Sequence, residues 1–332
     1  MTYSYCCSGA PREAKPVTLP RSPSDLISPR GVAQFLSCRI LNQQPALLLR
    51  YGDTGGRILT RPSANSDAFN YVRQFLGASV TERQVNWLAD RIEASVRAAD
   101  VIGLRSDLLG PSLPADFLSL ADYAMLPQLA SLYPLRPVDL TSLGSAGARR
   151  LAETRKAMEK LPFPPQALFA DAWIHLGLAE IGFVSALLRQ APAVSIVTSV
   201  IRRPVLKSLA VALQGRLRVF DCPAYPKEEA RWGGNDDHLW QRWLSLVDSL
   251  HPVRAGEPLL ISAGIWTKVI GPVWQERNGV ALDFGSVMDY FARVPSRPAV
   301  LATRYGDPGK VPEELSIERQ LERTDRLEDF LV

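Results

Sequence analysis

Short apolar runs alternating with helical segments predict an α/β fold: a Rossmann-like, mostly parallel sheet with helices on both faces, plus a helical insertion. Three observations carry this. Continuous apolar runs such as Leu47-Leu48-Leu49 and Leu259-Leu260-Ile261 suit strands buried on both faces. Segments of helical period separate them, as βαβ units require. Small-residue turns follow the runs, at Gly52-Asp53-Thr54-Gly55-Gly56, Ser262-Ala263-Gly264 and Phe284-Gly285-Ser286. In open α/β sheets such turns line the crevice beyond the strands' carboxyl ends, where ligands bind.

Taken in order, residues 1–24 predict an unstructured leader, because Pro11, Pro16, Pro20 and Pro23 interrupt any period. An α/β domain is expected over 25–294. Ser28-Pro29 supplies an N-cap and a first-turn proline, and Val32, Phe35, Leu36 and Ile40 give the apolar face of a helix over 29–43. A strand follows at 46–51, then a helix from Asp67 to Leu76. Thr81-Glu82-Arg83-Gln84 is a capping box that opens a helix through Arg97. Asp100–Leu104 is a short strand whose loop carries Arg105. Residues 111–166 are punctuated by prolines and predict the helical insertion. Strands are then expected at 167–171, 194–200, 217–221, 258–263 and 280–284. Helices are expected at 173–189, 204–213, 236–250, 266–275 and onward to Arg293. The charged tail, 295–332, predicts a helix over 312–326 that packs on the surface or pairs with another chain. Arg304-Tyr305-Gly306-Asp307 repeats Arg50-Tyr51-Gly52-Asp53, but the flanks do not repeat, so the match is read as chance.

Composition excludes several classes. The chain has 332 residues, is 46% hydrophobic and carries a net charge of +4, which is ordinary for a folded protein and points to no nucleic-acid partner. Cys6, Cys7, Cys38 and Cys222 show no C-x-x-C spacing, and the three histidines are far apart, so no zinc cluster is expected. Free thiols in a chain of this size predict a cytoplasmic protein. No run reaches the roughly 18–20 apolar residues that cross a bilayer. Peripheral attachment at the inner face of the membrane is compatible with the basic balance.

Several ordered segments together resemble the bacterial GT-D fold glycosyltransferases. Leu49-Arg50-Tyr51-Gly52-Asp53-Thr54-Gly55 is similar to that family's first strand end, Arg-Phe-Gly-Asp-Gly-Glu. Ala170-Asp171-Ala172-Trp173-Ile174-His175 resembles its central segment, and Leu259–Thr267 its late strand and glycine turn. Ala281-Leu282-Asp283-Phe284-Gly285-Ser286 resembles its last strand. The likeness covers residues 28–294. It implies sugar transfer from a nucleotide sugar such as a UDP-sugar to a glycan or glycoprotein acceptor, in surface polysaccharide assembly. It also implies a divalent metal, Mn²⁺ or Mg²⁺, at Asp53. The chain departs from the pattern twice: Gly55 stands where the family has Glu, and Ser286 where it often has His. A lone carboxylate is a poor site for a hard cation. Without metal, Arg50, Arg105 and backbone N–H groups would have to meet the diphosphate charge.

Asp53 is accordingly the candidate catalytic and metal-binding residue, its alternative role being a turn or helix cap. Donor contacts are expected from Arg50, Gly52, Gly55, Arg105, Gly264, Thr267, Asp283 and Gly285. Arg50 alternatively pairs with a buried acid, and Asp283 alternatively caps the next helix. Asp237 and His238, in the polar loop Gly233–His238, offer a general base for an acceptor hydroxyl, or else acids capping a helix. Asp171 and His175 are spaced to share a helix face. Trp232, Trp240 and Trp243 offer rings to stack on a sugar, while the spacing of 240 and 243 along a helix is that of core residues. The partners expected are the donor, the acceptor and a second copy of the chain. A second hypothesis, favoured by Gly55, is a non-catalytic relative that scaffolds a polysaccharide assembly complex. A nucleotide-binding enzyme outside sugar transfer, such as a Rossmann dehydrogenase, comes a distant third, because no strand leads into Gly-x-Gly-x-x-Gly with an acid about twenty residues on.

Overall fold

A computed structural model describes residues 25–104, 156–199, 203–224 and 238–331. The expected leader, most of the insertion, Arg105, Asp237 and the Asp53 side chain lie outside the described residues.

Among the described residues seven strands form one sheet, all parallel: β1 (Ala46–Tyr51), β2 (Val101–Leu104), β3 (Leu168–Asp171), β4 (Val194–Thr198), β5 (Leu217–Asp221), β6 (Pro258–Ile261) and β7 (Val280–Asp283). Their spatial order is β3-β2-β1-β7-β6-β4-β5. The chain winds outward from β1 to β3, crosses over, and returns to set β7 beside β1. The connection from β4 runs outward to β5 while that from β6 runs inward to β7. Connections therefore diverge between β4 and β6, the type of switch point at which open α/β sheets form a crevice.

Alternation along the strands splits the core into two layers. Leu47, Leu49 and Tyr51 face one layer, with α2 (Asp53–Leu59), α3 (Asp67–Leu76), α4 (Glu82–Ala98), α8 (Leu239–Ser249) and α9 (Thr267–Glu276). Ala46 and Leu48 face the other, with α1 (Pro29–Leu41), α5 (Ile174–Glu180), α6 (Phe183–Gln190), α7 (Arg203–Leu213), α10 (Val287–Phe291), α11 (Pro298–Tyr305) and α12 (Ile317–Glu322). The Thr81–Gln84 capping box forms at α4, and Ser28 caps α1. Gly271 lets α9 ride close over β1, since a Cβ there would sit 2.7 Å from Leu47 Cδ1.

Three local expectations are corrected. The glycine run after β1 is not an open loop: α2 begins at Asp53, with Gly56 N bonded to Gly52 O at 3.2 Å. The single helix expected at 173–189 breaks into α5 and α6 at Gly182, whose φ is +89° and whose α-carbon is pressed by Arg323 and Asp325. The tail is helical over 298–305 and 317–322 rather than 312–326, and it belongs to the core. Leu315, Ile317, Leu327 and Phe330 are buried, and Ser185 Oγ donates to Gln320 Oε1 at 2.8 Å. Arg304 donates to Glu180 at 2.7 Å and Tyr305 O–H bonds the same carboxylate. The second Arg-Tyr-Gly-Asp thus ends a helix, with Gly306 at φ +82°, while the first ends a strand. Identical letters take different structures because their neighbours differ.

Among the described residues, no helix is long and apolar enough to cross a membrane.

Candidate functional site

A cleft of ≈310 Å³ opens at the carboxyl edge of the sheet, within the range of about 300–1,000 Å³ usual for small-molecule sites. It gathers Arg50 from the end of β1 with Gly52 and Gly55 beyond it, Gly264 after β6, and Asp283 at the end of β7 with Gly285 beyond it. Sequence reasoning named each of these six as a donor contact. Its walls add Tyr71, Phe75, Trp173 and Trp243, with Thr198, Ser199, Ser262 and Ser286 as polar lining and Arg297 on the exposed rim.

The floor is an ion triad, and its parts follow from the strands. Arg50 occupies the next-to-last position of β1, on the face of Ala46 and Leu48. Its register partner on β2 is Gly103, where a Cβ would come within 2.9 Å of Arg50 Cγ. That missing side chain leaves a groove through which the guanidinium reaches Ala172 O at 3.0 Å and His175 Nδ1 at 2.8 Å. Asp283 ends β7, the strand beside β1, and its carboxylate accepts four hydrogen bonds. The donors are Arg50 N (3.2 Å), Arg50 Nε (3.1 Å), Arg50 Nη2 (2.9 Å) and Lys268 Nζ (2.6 Å). Lys268 lies three residues before Gly271 on α9, so the close approach of that helix to β1 also lowers the ammonium onto Asp283. The triad stitches the two layers together across the end of the sheet.

Charge is strongly biased here. Burial opposes ionisation of Asp283, but Arg50 and Lys268 outweigh it and hold the carboxyl below its ordinary range. Burial pulls Lys268 down, and Asp283 counters it. Burial, then Arg50, pushes His175 well below its usual value, so its imidazole is neutral and accepts from Arg50. Two cations, one anion and a neutral ring leave one net positive charge beneath the cleft. The flanking helices add little: α2 has seven residues and α10 five, so each sums few peptide dipoles. Tyr51, one residue from Arg50, is locked by a 2.8 Å bond to Ser95, and its ring lies 5.5 Å from Lys268 Nζ.

Other expectations change. Asp283 lines the cleft, but it is 3% exposed and its oxygens are engaged by Arg50 and Lys268. Gly285 makes room for a protein group: a Cβ would fall 1.9 Å from Arg50 Nη2, and φ is +48°. Gly52 and Gly55 do face space, with nothing within 4 Å of a Cβ at Gly52 and only Ile265 Cδ1, at 3.6 Å, near Gly55. Thr267 is fully buried and does not line the cleft. His238 is exposed at the start of α8 and is likewise outside the cleft lining. Asp171 accepts from Trp173 N at 2.7 Å, whereas His175 faces Arg50. Trp243 stacks on Trp266, their ring centroids 5.0 Å apart, as part of the core that walls the cleft.

Lys268 was missed, although a signal existed. With Thr267 it interrupts an apolar run, Ile265-Trp266-Thr267-Lys268-Val269-Ile270. A helix apolar all round is buried, and a buried ammonium must be paired.

The Asp53 side chain, the metal ligand that the resemblance implies, lies outside the described residues. Among the described residues, no three His, Cys, Asp or Glu side chains group to hold a metal ion. The Asp283 carboxylate in the cleft floor is already neutralised by two cations.

No protein-family model, curated protein or solved structure matches this chain.

Proposed function

We propose that the cleft binds a nucleoside diphosphate sugar and that the protein transfers the sugar to a hydroxyl acceptor, a glycan or glycoprotein, in surface polysaccharide assembly. The observation that carries this reading is the Arg50–Asp283–Lys268 triad, an anchored positive charge under a cleft walled by Tyr71, Phe75, Trp173 and Trp243. A fixed cation suits a diphosphate, and aromatic walls suit a base and a sugar ring. The glycosyltransferase resemblance of the sequence leads to the same ligand.

In the transfer, the bond from the anomeric carbon to the diphosphate oxygen breaks and its electron pair leaves with the nucleotide. The acceptor oxygen forms the new bond and gives up its proton. Asp289, a carboxylate lining the cleft, is our candidate to take it. Electrostatic stabilisation of the departing diphosphate is the largest service the triad renders.

Titration calorimetry with UDP and UDP-sugars is the test. A complex weakened by Arg50→Ala or Asp53→Ala is expected; no binding of any nucleotide removes the proposal. Gly55, in place of the family's Glu, favours the second reading of a non-catalytic scaffold. It predicts nucleotide binding or a protein partner with no sugar released or transferred from any donor, whereas the enzyme reading predicts turnover that Asp289→Asn abolishes while donor affinity persists.

A further inference from the structure

We infer that the Arg50–Lys268 pair takes the place of a divalent cation in this cleft, so that a nucleoside diphosphate binds, and its departing charge is met, by side chains alone. The inference rests on the nucleotide reading above and deepens it by naming what carries the charge.

Four observations converge. First, Asp283, the carboxylate in the floor of the cleft, has both oxygens occupied: Oδ1 by Arg50 Nε and Nη2, Oδ2 by Arg50 N and Lys268 Nζ. A divalent ion there would have to displace a buried ammonium and sit beside a guanidinium. Second, position 55 carries no carboxylate, and sterics do not explain it. A Cβ on Gly55 would meet only Ile265 Cδ1, at an ordinary 3.6 Å. Third, both cations are preorganised. Arg50 is clamped between Gly103, Gly285 and His175, and Lys268 is held down by the contact of Gly271 with β1. Fixed cations cost no reorganisation when charge develops. Fourth, donors remain for a ligand. An ammonium has three N–H groups and a guanidinium five, and the bonds to Asp283, Ala172 and His175 do not use them all.

When the anomeric C–O bond breaks, the electron pair settles on the diphosphate, which gains one negative charge. The net positive charge of the triad is of matching size and opposite sign. Lys268 thereby acquires a role in donor binding that its place on an apolar helix does not advertise.

The test uses the full chain stripped with EDTA and UDP as the probe, with inorganic pyrophosphate as a second probe. Calorimetry in EDTA and in excess Mn²⁺ should give the same affinity within about twofold. Lys268→Met should weaken UDP binding in EDTA by roughly tenfold or more, as loss of a charged hydrogen bond predicts, while Lys268→Arg keeps most of it. Binding of UDP only when Mn²⁺ is present would overturn the inference and leave the nucleotide reading standing. Binding in neither condition would overturn the nucleotide reading itself. Unchanged affinity in a folded Lys268→Met protein would also overturn the inference. Should Lys268→Met not fold, the comparison of EDTA with Mn²⁺ on the unaltered chain decides alone.

Discussion

Asp283→Asn removes one charge, keeps the side chain's shape and leaves two cations facing each other at the end of the sheet. The cost can be worked from the geometry. Removing one partner of a buried ion pair costs about 3–5 kcal/mol, because the other charge stays behind unpaired. Arg50 escapes part of this: its side chain is 16% exposed and it also donates to Ala172 O and His175. Lys268, 6% exposed and 2.6 Å from Asp283, does not. We therefore expect a loss of about 4 kcal/mol, a large share of the roughly 5–15 kcal/mol by which most domains are stable. Urea unfolding followed by tryptophan fluorescence measures it, since Trp243 and Trp266 lie in the layer that holds Lys268. Adding Lys268→Met to Asp283→Asn removes the stranded ammonium and should recover about half the loss, because apolar replacement of buried ion pairs is often neutral. The single variant also has a pH signature. Its folded-state Lys268 pKa lies below the unfolded value, so between the two the unfolded chain binds more protons. Stability should then rise with pH on the acid side of the ordinary lysine value of 10.5, by at most about 1.4 kcal/mol per pH unit. A variant within about 1 kcal/mol of the wild type, or a double variant no better than the single, would refute the triad as the foundation of the cleft.

His175 is held neutral in the fold, while in the unfolded chain it protonates near 6.5. Stability should therefore fall as pH drops below about 6.5, by up to about 1.4 kcal/mol per unit, and urea midpoints of His175→Gln should lack that component. The lowered Asp283 carboxyl acts in a separate window: its contribution is present above the unfolded value of 3.8 and is lost below it. Gly285→Ala should cost about 1–3 kcal/mol from its positive φ alone and more from the clash with Arg50, lowering both the thermal midpoint and UDP affinity. Gly52→Ala, with nothing within 4 Å of its Cβ, should alter stability by less than about 0.5 kcal/mol; equal losses at the two glycines would contradict the packing account. Removing 308–332 strips Leu315, Ile317, Leu327 and Phe330 from one core layer, each worth about 1.5–3 kcal/mol, so the truncated chain should be largely insoluble. A soluble truncated chain with an unchanged midpoint would make the tail peripheral.

Much of the fold was legible in the chain because strand and helix patterns are local. The apolar run of β1, the Thr81–Gln84 box and the Ser28 cap each announce their element within a few residues. The gathering of Arg50, Gly52, Gly55, Gly264, Asp283 and Gly285 in one cleft followed from the same pattern, since a parallel sheet brings all its carboxyl-end turns to one edge. Roles were harder to read than positions. The sequence pattern makes Asp283 and Gly285 contacts for a ligand, and the structure adds that each also accommodates Arg50. The break at Gly182 escaped because the residues that press on it, Arg323 and Asp325, come from the far end of the chain.

By itself, then, the sequence determined which segments alternate and which turns share an edge, because the apolar pattern repeats with the period of the backbone. Only the tertiary structure decided which charges meet. Arg50 and Asp283 stand 233 positions apart and Lys268 and Asp283 only 15, yet all three touch, because β7 returns to lie against β1 and α9 crosses above them. Charge pairing depends on distance in space, and that distance is set by the order of strands in the sheet rather than by any neighbour in the chain.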